Sequence, residues 1–109
     1  MAQFDVHRNI GKQREAIPYV VIVQSSLFDN YRRRVVVPLV RRSNLDNAAA
    51  LLGSALSPVF LIEGIEVVLH PLEVVSVAND QLGEKVTSLA QEGDRITGAM
   101  DELLTRAWA

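Results

Sequence analysis

The sequence predicts a mainly β domain that ends in one α-helix. Two runs of β-branched residues, 20–23 and 35–37, flank a polar turn, and such side chains fit a pleated strand better than a helix. Both runs are apolar throughout, which predicts strands covered on both faces. Towards the C-terminus, apolar residues return every three or four positions, which indicates one helical stripe.

The sequence of the N-terminal half predicts strands, with an interruption at Pro38. Phe4 and Val6 alternate with polar residues, as in a first strand, and residues 9–16 form a polar loop. Pro38 cannot donate a ladder hydrogen bond, which predicts an edge or a bulge at that end of the strand. Residues 44–52 predict a short helix capped by one of its first polar residues.

A tight hairpin is predicted at residues 59–69, where two apolar runs surround Glu63-Gly64. A glycine in a two-residue turn supplies the positive φ that such turns need. Residues 74–77 then predict a last strand and residues 79–83 a loop.

The C-terminal segment predicts the one clear helix. Ser88, with Gln91 three residues later, has the form of a capping box, so the helix begins either there or at the first residue of the stripe. The stripe consists of Leu82, Val86, Leu89, Gly93, Ile96, Met100, Leu103 and Ala107.

Composition limits the function classes. The 109 residues suffice for a single domain, 1–109, and the net charge of -2 gives no basic field for nucleic acid. No cysteine, signal core or apolar run of about 20 residues is present, which predicts a cytoplasmic protein without a membrane partner. Neither a metal-ligand cluster nor a phosphate-binding loop is recognisable, so no metal, cofactor or catalytic residue is expected.

Charged residues cluster in one region. Arg32, Arg33, Arg34, Arg41 and Arg42 provide five of the eleven basic residues. A solvated strand edge is the ordinary explanation, and the functional one is an acidic partner segment or phosphates. The acids around the tight hairpin, Glu63, Glu66 and Glu73, are assigned to solvent.

Seven stretches of the sequence are informative when they are taken together. They are Gln3-Phe4, Val23-Gln24-Ser25-x-Leu27-Phe28-Asp29, Arg34-Val35-Val36-Val37-Pro38-Leu39, Pro58-Val-x-x-Ile62, Ser76-Val77, Gly83-Glu84-x-Val86-x-x-Leu89 and Asp94-x-Ile96-x-x-Ala99-Met100-Asp101. In this order, over nearly the whole chain, they resemble the CcdB family of bacterial toxin–antitoxin toxins.

The resemblance implies an SH3-like small antiparallel barrel of the CcdB/PemK type, acting as a homodimer. It implies a toxin that binds the DNA gyrase A subunit, traps gyrase on cleaved DNA and meets DNA only through its partners. It also implies a cognate CcdA-like antitoxin that removes the toxin from gyrase. The implied gyrase contacts are Leu27, Phe28, Asp101, Leu104, Thr105, Trp108 and Ala109. The implied antitoxin contacts are Gln3, Phe4, Ser25, Leu27, Phe28 and Trp108.

One difference from the family lies in the tail. Toxic members end in Trp-Gly-Ile, whereas Trp108 is followed here by Ala109 alone. Two other functions therefore stay open. One is a ribonuclease of the same barrel type, in which Arg34 and Ser25 or Ser26 would act on a phosphate. The other is a non-toxic relative that retains antitoxin binding only.

Overall fold

The computed structural model of the chain describes residues 2–45 and 56–106. Within these ranges lie seven strands and one α-helix, which a π-helical turn, Glu102–Arg106, extends. They are β1 Asp5–Asn9, β2 Tyr19–Ile22, β3 Arg33–Arg41, β4 Val59–Ile62, β5 Ile65–Leu69, β6 Val75–Ala78, β7 Leu82–Ser88 and α1 Gly93–Asp101.

The strands form one curled antiparallel sheet in the order β4-β5-β3-β2-β1-β7. The long strand β3 lies at its centre, with β2 along one side and β6 followed by β5 along the other. The result is an SH3-like half-barrel with a helix at the C-terminus, which confirms the predicted fold class.

The core lies between the sheet and α1. Ile96 and Ala99 of the helix are fully buried in one cluster with Val21 and Val37 of the central strands. Ile22 and Val36, next to them in sequence, are also buried, at 0% and 1% exposure. The prediction that these two strands are covered on both faces is therefore confirmed.

The tight hairpin has the predicted bounds, with β4 and β5 joined by Glu63 and Gly64. Both turn residues have positive φ, 53° at Glu63 and 78° at Gly64. A two-residue turn of this kind matches the right-handed twist of its strands.

The interpretation of Pro38 as a strand edge is wrong. Pro38 lies inside β3 and pairs with Val20 of β2. Its carbonyl accepts from the His70 amide, so its missing N–H faces the same side of the strand. On that side, β6 pairs with β3 as far as Val36, and β5 pairs with β3 from Leu39 onwards. The proline is tolerated because no strand pairs with it there.

The prediction that the helix begins at Leu82, with β6 as the last strand, is also wrong, because Leu82–Ser88 form β7 against β1. Two irregularities in this pairing, on either side of His7, break the alternation that would have marked a strand. Helical structure begins with a 3₁₀ turn at Ala90, whose amide donates to the Ser88 hydroxyl, in agreement with the alternative start at Ser88.

Two further predictions concern the helix at residues 44–52 and the first strand. The predicted helix at 44–52 falls largely on 46–55, outside the described residues, and Arg42–Asn44 is a 3₁₀ turn. The first strand is confirmed, although it begins at Asp5, after Phe4. Within the described ranges, the helical segments are too short and too polar to cross a membrane.

Candidate functional site

The connection between β2 and β3 presents a loop that we call the tip, residues 25–32. It begins with Ser25, whose hydroxyl accepts from the Leu27 amide at 3.2 Å and starts the 3₁₀ turn Ser26–Phe28. Serine favours this position because its side chain satisfies an amide that the turn leaves free. The tip is thus an ordered turn.

The tip exposes large apolar side chains. Leu27 is 86% exposed, Phe28 47% and Tyr31 63%. The rings of Phe28 and Tyr31 meet edge to face, with their centroids 5.5 Å apart. Because water solvates such a group poorly, this arrangement is typical of a surface that binds another macromolecule. Tyr31 is not among the predicted contacts, although its place three residues after Phe28 in a polar turn is a usable signal.

A hollow of about 350 Å³ lies beside the tip. Tyr31 and Phe28 form one wall, Val35 contributes an apolar surface, and Arg33 lies at the side of Ser76. The Arg33 guanidinium donates to the Ser76 hydroxyl at 2.8 Å and to its carbonyl at 2.6 Å. The hollow therefore combines an apolar lining with a fixed cation, which suits an apolar side chain next to a carboxylate.

The arginine run does not behave as one solvated edge. Arg32, Arg33 and Arg42 are exposed, but Arg34 is only 4% exposed, and β3 is a central strand. The Arg34 guanidinium turns behind the tip and donates to backbone carbonyls there. The prediction of a solvated run is therefore wrong for Arg34, because the tip folds over its guanidinium, and the sequence pattern cannot reveal such a contact.

The N-terminal segment lies close to the base of the tip. The Gln3 side chain donates to the Val23 carbonyl at 3.1 Å, two residues before Ser25. Phe4 has a left-handed backbone, φ 70°, and packs against the core. A Cβ on Gly93 would lie 2.6 Å from its ring, so Gly93 gives the ring its place. Gln3 thus belongs to the surroundings of the tip, whereas Phe4 mainly anchors the helix start.

The remaining predicted contacts lie at the other end of the helix. Asp101 is the last residue of α1 and is exposed. Leu104 is 68% exposed on the π-helical turn that also includes Thr105. Trp108 and Ala109 lie outside the described residues. The predicted site residues therefore fall in two places, the tip with its N-terminal neighbour and the end of the helix.

A charged cluster ties the tight hairpin to the sheet. Arg8 donates to both carboxylate oxygens of Glu63, at 3.0 and 2.9 Å, and to Glu84 at 2.7 Å. The buried Tyr19 also donates its hydroxyl to Glu63. Glu63 is exposed to solvent, as assigned, but its carboxylate also pairs with side chains from distant parts of the chain, which the assignment did not include. Glu66 also pairs, with Arg42 at 2.8 Å, although both remain about half exposed.

These contacts move the pKa values of the cluster. The bond from Arg8, and then that from Tyr19, holds the pKa of Glu63 below its ordinary value. Burial raises the pKa of Tyr19, and its hydrogen bond to Glu63 raises it further. The pKa of Arg8 is raised by its bonds to Glu63 and Glu84. All three shifts favour the paired form, which identifies a structural clamp rather than a poised acid or base.

A second concave surface lies in the half-barrel. It is a trough of about 660 Å³, with a mostly aliphatic lining and a polar rim. The sequence does not predict this trough, because residues from five strands, one loop and two 3₁₀ turns meet there. Its apolar lining includes Ile10, Ile17, Val20, Val36, Pro38, Val75, Val77 and Leu82.

The small curled barrel, with exposed apolar side chains on an ordered loop, has the form of a binding domain. The model of the family described as "CcdB protein" matches residues 3–105. No curated protein matches the sequence significantly. The chain belongs to the CcdB family, the toxins of toxin–antitoxin systems, and the resemblance found in the sequence is thereby confirmed.

Proposed function

We propose that this toxin acts by binding the DNA gyrase A subunit and trapping gyrase on cleaved DNA, and that a cognate antitoxin neutralises it. The observation that carries the proposal is the apolar surface of Leu27, Phe28 and Tyr31 on an ordered tip, in a chain of this family. Aromatic and apolar side chains of this kind are common anchors of protein interfaces.

The end of the helix is the second proposed gyrase contact. Asp101, Leu104 and Thr105 belong to it, with Trp108 and Ala109 as the following tail. The exposure of Leu104 supports this role, since an apolar side chain at 68% exposure gains most from being covered. The same surface supports a two-fold homodimer with its last helical turns near the axis. Sedimentation that finds a monomer would contradict the dimer.

For the antitoxin we propose a segment that lies over the tip and Ser25, with Gln3 and Phe4 at one end and Trp108 as a further contact. The hollow beside Phe28 supports a segment that carries an apolar side chain next to a carboxylate, because Arg33 provides the matching charge.

The ribonuclease alternative finds little support in the geometry. It needs the Arg34 guanidinium free to meet a phosphate near Ser25 or Ser26. Arg34 is buried, and both of its terminal nitrogens donate to backbone carbonyls. A buried guanidinium whose two terminal nitrogens already donate to carbonyls cannot approach a phosphodiester without a rearrangement of the tip.

Titration of the protein against the purified gyrase A subunit tests the proposal, together with a DNA cleavage assay that contains whole gyrase. We expect saturable binding and gyrase-dependent double-strand breaks. Binding of the antitoxin without binding of gyrase would instead identify a non-toxic relative. Specific cleavage of a defined RNA in the absence of gyrase would identify the ribonuclease. Deletion of Trp108 and Ala109 should weaken gyrase binding more than antitoxin binding if the tail is an anchor.

A further inference from the structure

Arg34 bonds the inner side of the tip at three places and the neighbouring residue Arg33 at a fourth. Its Nη1 donates to the carbonyls of Tyr31, of Arg33 at 3.0 Å and, more weakly, of Phe28 at 3.5 Å. Its Nη2 donates to the carbonyl of Asp29. Among the residues that the structure describes, no ion pair with a carboxylate is formed by this side chain.

A buried guanidinium without a carboxylate is expensive, because its desolvation must be offset by other groups. Here the backbone carbonyls of the tip, together with that of Arg33, compensate the two terminal nitrogens, whereas Nε has no hydrogen-bond partner among the described residues. Their oxygens converge on Arg34 only when the loop has its present conformation. The position of Arg34 and the conformation of the tip therefore stabilise each other.

Two more side chains act in the same direction. The Gln24 amide donates to the carbonyls of Phe28 at 3.3 Å and Arg33 at 3.4 Å, and its oxygen accepts from the Val35 amide at 2.7 Å. The Asn79 amide donates to the Tyr31 carbonyl at 3.3 Å. The tip thus turns its carbonyls inward to polar side chains and its apolar side chains outward.

We propose that Arg34 is a positioning residue for partner binding. It holds Leu27, Phe28 and Tyr31 in their exposed arrangement before the partner arrives, although it is itself too buried to contact the partner. Binding then avoids most of the entropy cost of ordering the loop. This inference rests on the proposed function, in which the tip contacts the gyrase A subunit.

The first test compares Arg34→Met with the matched control Arg32→Met. Both remove one positive charge, and Arg32 is the exposed last residue of the tip, whose side chain is not among the proposed contacts Leu27, Phe28 and Tyr31. We expect Arg34→Met to weaken gyrase A binding by at least about tenfold, because binding must then order at least one more side chain and lose its conformational entropy. Arg32→Met should change it by less than about threefold, as for a rim charge. Equal losses in the two variants would overturn the proposal.

A double-mutant cycle separates positioning from general destabilisation. In a background that combines Leu27→Ala, Phe28→Ala and Tyr31→Ala, Arg34→Met should produce almost no further loss of gyrase affinity, because the side chains that it positions are already gone. A loss that is fully additive would overturn the positioning role. Arg34→Lys, which keeps the charge but not the planar fork, serves if Arg34→Met does not fold, and its affinity should lie between those of wild type and the alanine background.

Native-state digestion with chymotrypsin tests Arg34 without gyrase. Cleavage after Phe28 or Tyr31 reports opening of the tip, whereas cleavage after the buried Tyr19 or Phe60 reports unfolding of the core. We expect Arg34→Met to accelerate cleavage at the tip far more than in the core. An equal acceleration of cleavage at the tip and in the core would show that Arg34 only stabilises the fold as a whole, and it would overturn the positioning role. If wild type fails to bind gyrase A, the proposed function falls, and this digestion still decides the role of Arg34.

Discussion

Two hairpin connections in the described part of the chain, the β4–β5 turn and the tip between β2 and β3, have opposite polarity. At the turn between β4 and β5, the polar side chain of Glu63 folds back onto Arg8 and Tyr19. At the tip, Leu27 and Phe28 point outward, and the polar Arg34 lies buried behind them. The turn keeps its polar side chain in contact with the fold, as is usual for a stable connection. The tip does the reverse, since it exposes apolar side chains and buries a polar one.

The difference shows which of the two loops is built for a partner. Glu63 has a backbone conformation that Asn or Gly would adopt more easily, at φ 53°, and its ion pair and hydrogen bond favour its presence there. The exposure of Leu27 gives the fold no stabilising contact comparable to those of Glu63. The buried polar groups of the tip stabilise a surface whose benefit is realised only on binding.

The largest expected effect comes from reversing the polarity of the tip. Leu27→Asp combined with Phe28→Asp should weaken gyrase A binding by about 2 to 4 kcal/mol, as for interface anchors. The free energy of unfolding should change by only about 0.5 kcal/mol, because both side chains are exposed. Titration calorimetry and urea unfolding of the same variant measure the two quantities. Loss of cooperative unfolding would show that the tip belongs to the core.

A smaller effect is expected at the other connection, and on stability instead of binding. Gly64→Ala places a Cβ where no atom lies within 4 Å, so its cost is that of the left-handed backbone at φ 78° alone. We expect a loss of roughly 1 to 2 kcal/mol in the free energy of unfolding and unchanged gyrase binding. A change in affinity with unchanged stability would mean that the tight turn also contacts the partner.

The clamp at Glu63 adds a pH dependence that the tip lacks. Because the folded pKa of Glu63 lies below its ordinary value of 4.5, the charged form stabilises the fold above that pH. This stabilisation disappears as the pH falls through the lowered folded pKa. Wild type should therefore be more stable than Glu63→Gln at pH 7, and the difference should narrow as the pH falls below 4.5.

Unfolding curves in urea at a series of pH values measure this difference, with Glu73→Gln as a control that removes an exposed carboxylate elsewhere. A difference between wild type and Glu63→Gln that stays constant from pH 7 to about pH 3 would exclude a depressed pKa as its source.

The two connections also differ in how far the sequence predicts them. The bounds of the β4–β5 hairpin follow from local information, since Gly64 between two apolar runs specifies a turn by itself. The clamp of Glu63 does not, because Arg8 and Glu84 come from distant strands. At the tip, the resemblance to a family picks out Leu27 and Phe28, but only the folded conformation of the loop brings its carbonyls onto Arg34 and buries that side chain behind them.

Strand β7 shows a third limit. Leu82, Val86 and Leu89 have helical spacing, yet Val86 and Leu89 reach the core from an irregular strand and its end. Shifts in the register against β1 allow spacings of three and four residues to serve a strand. Gly83 is part of the reason, since a Cβ there would lie 2.8 Å from the Arg8 carbonyl. Such close backbone approaches are invisible to a periodicity argument.

The smallest effect is expected at Leu61, an exposed leucine that does not belong to the proposed binding surface. Leu61 on β4 is 70% exposed, nearly as much as Leu27, but no aromatic cluster or buried arginine accompanies it. If exposure alone made a binding surface, Leu61→Thr would weaken gyrase binding as a tip variant does. We expect instead no measurable change in affinity and a change of about 0.5 kcal/mol or less in unfolding, since Thr suits a strand and single exposed leucines are common on protein surfaces. The titration used for the tip variants measures this. A tenfold loss in Leu61→Thr would extend the interface to the edge of the sheet and remove the contrast between the two hairpins.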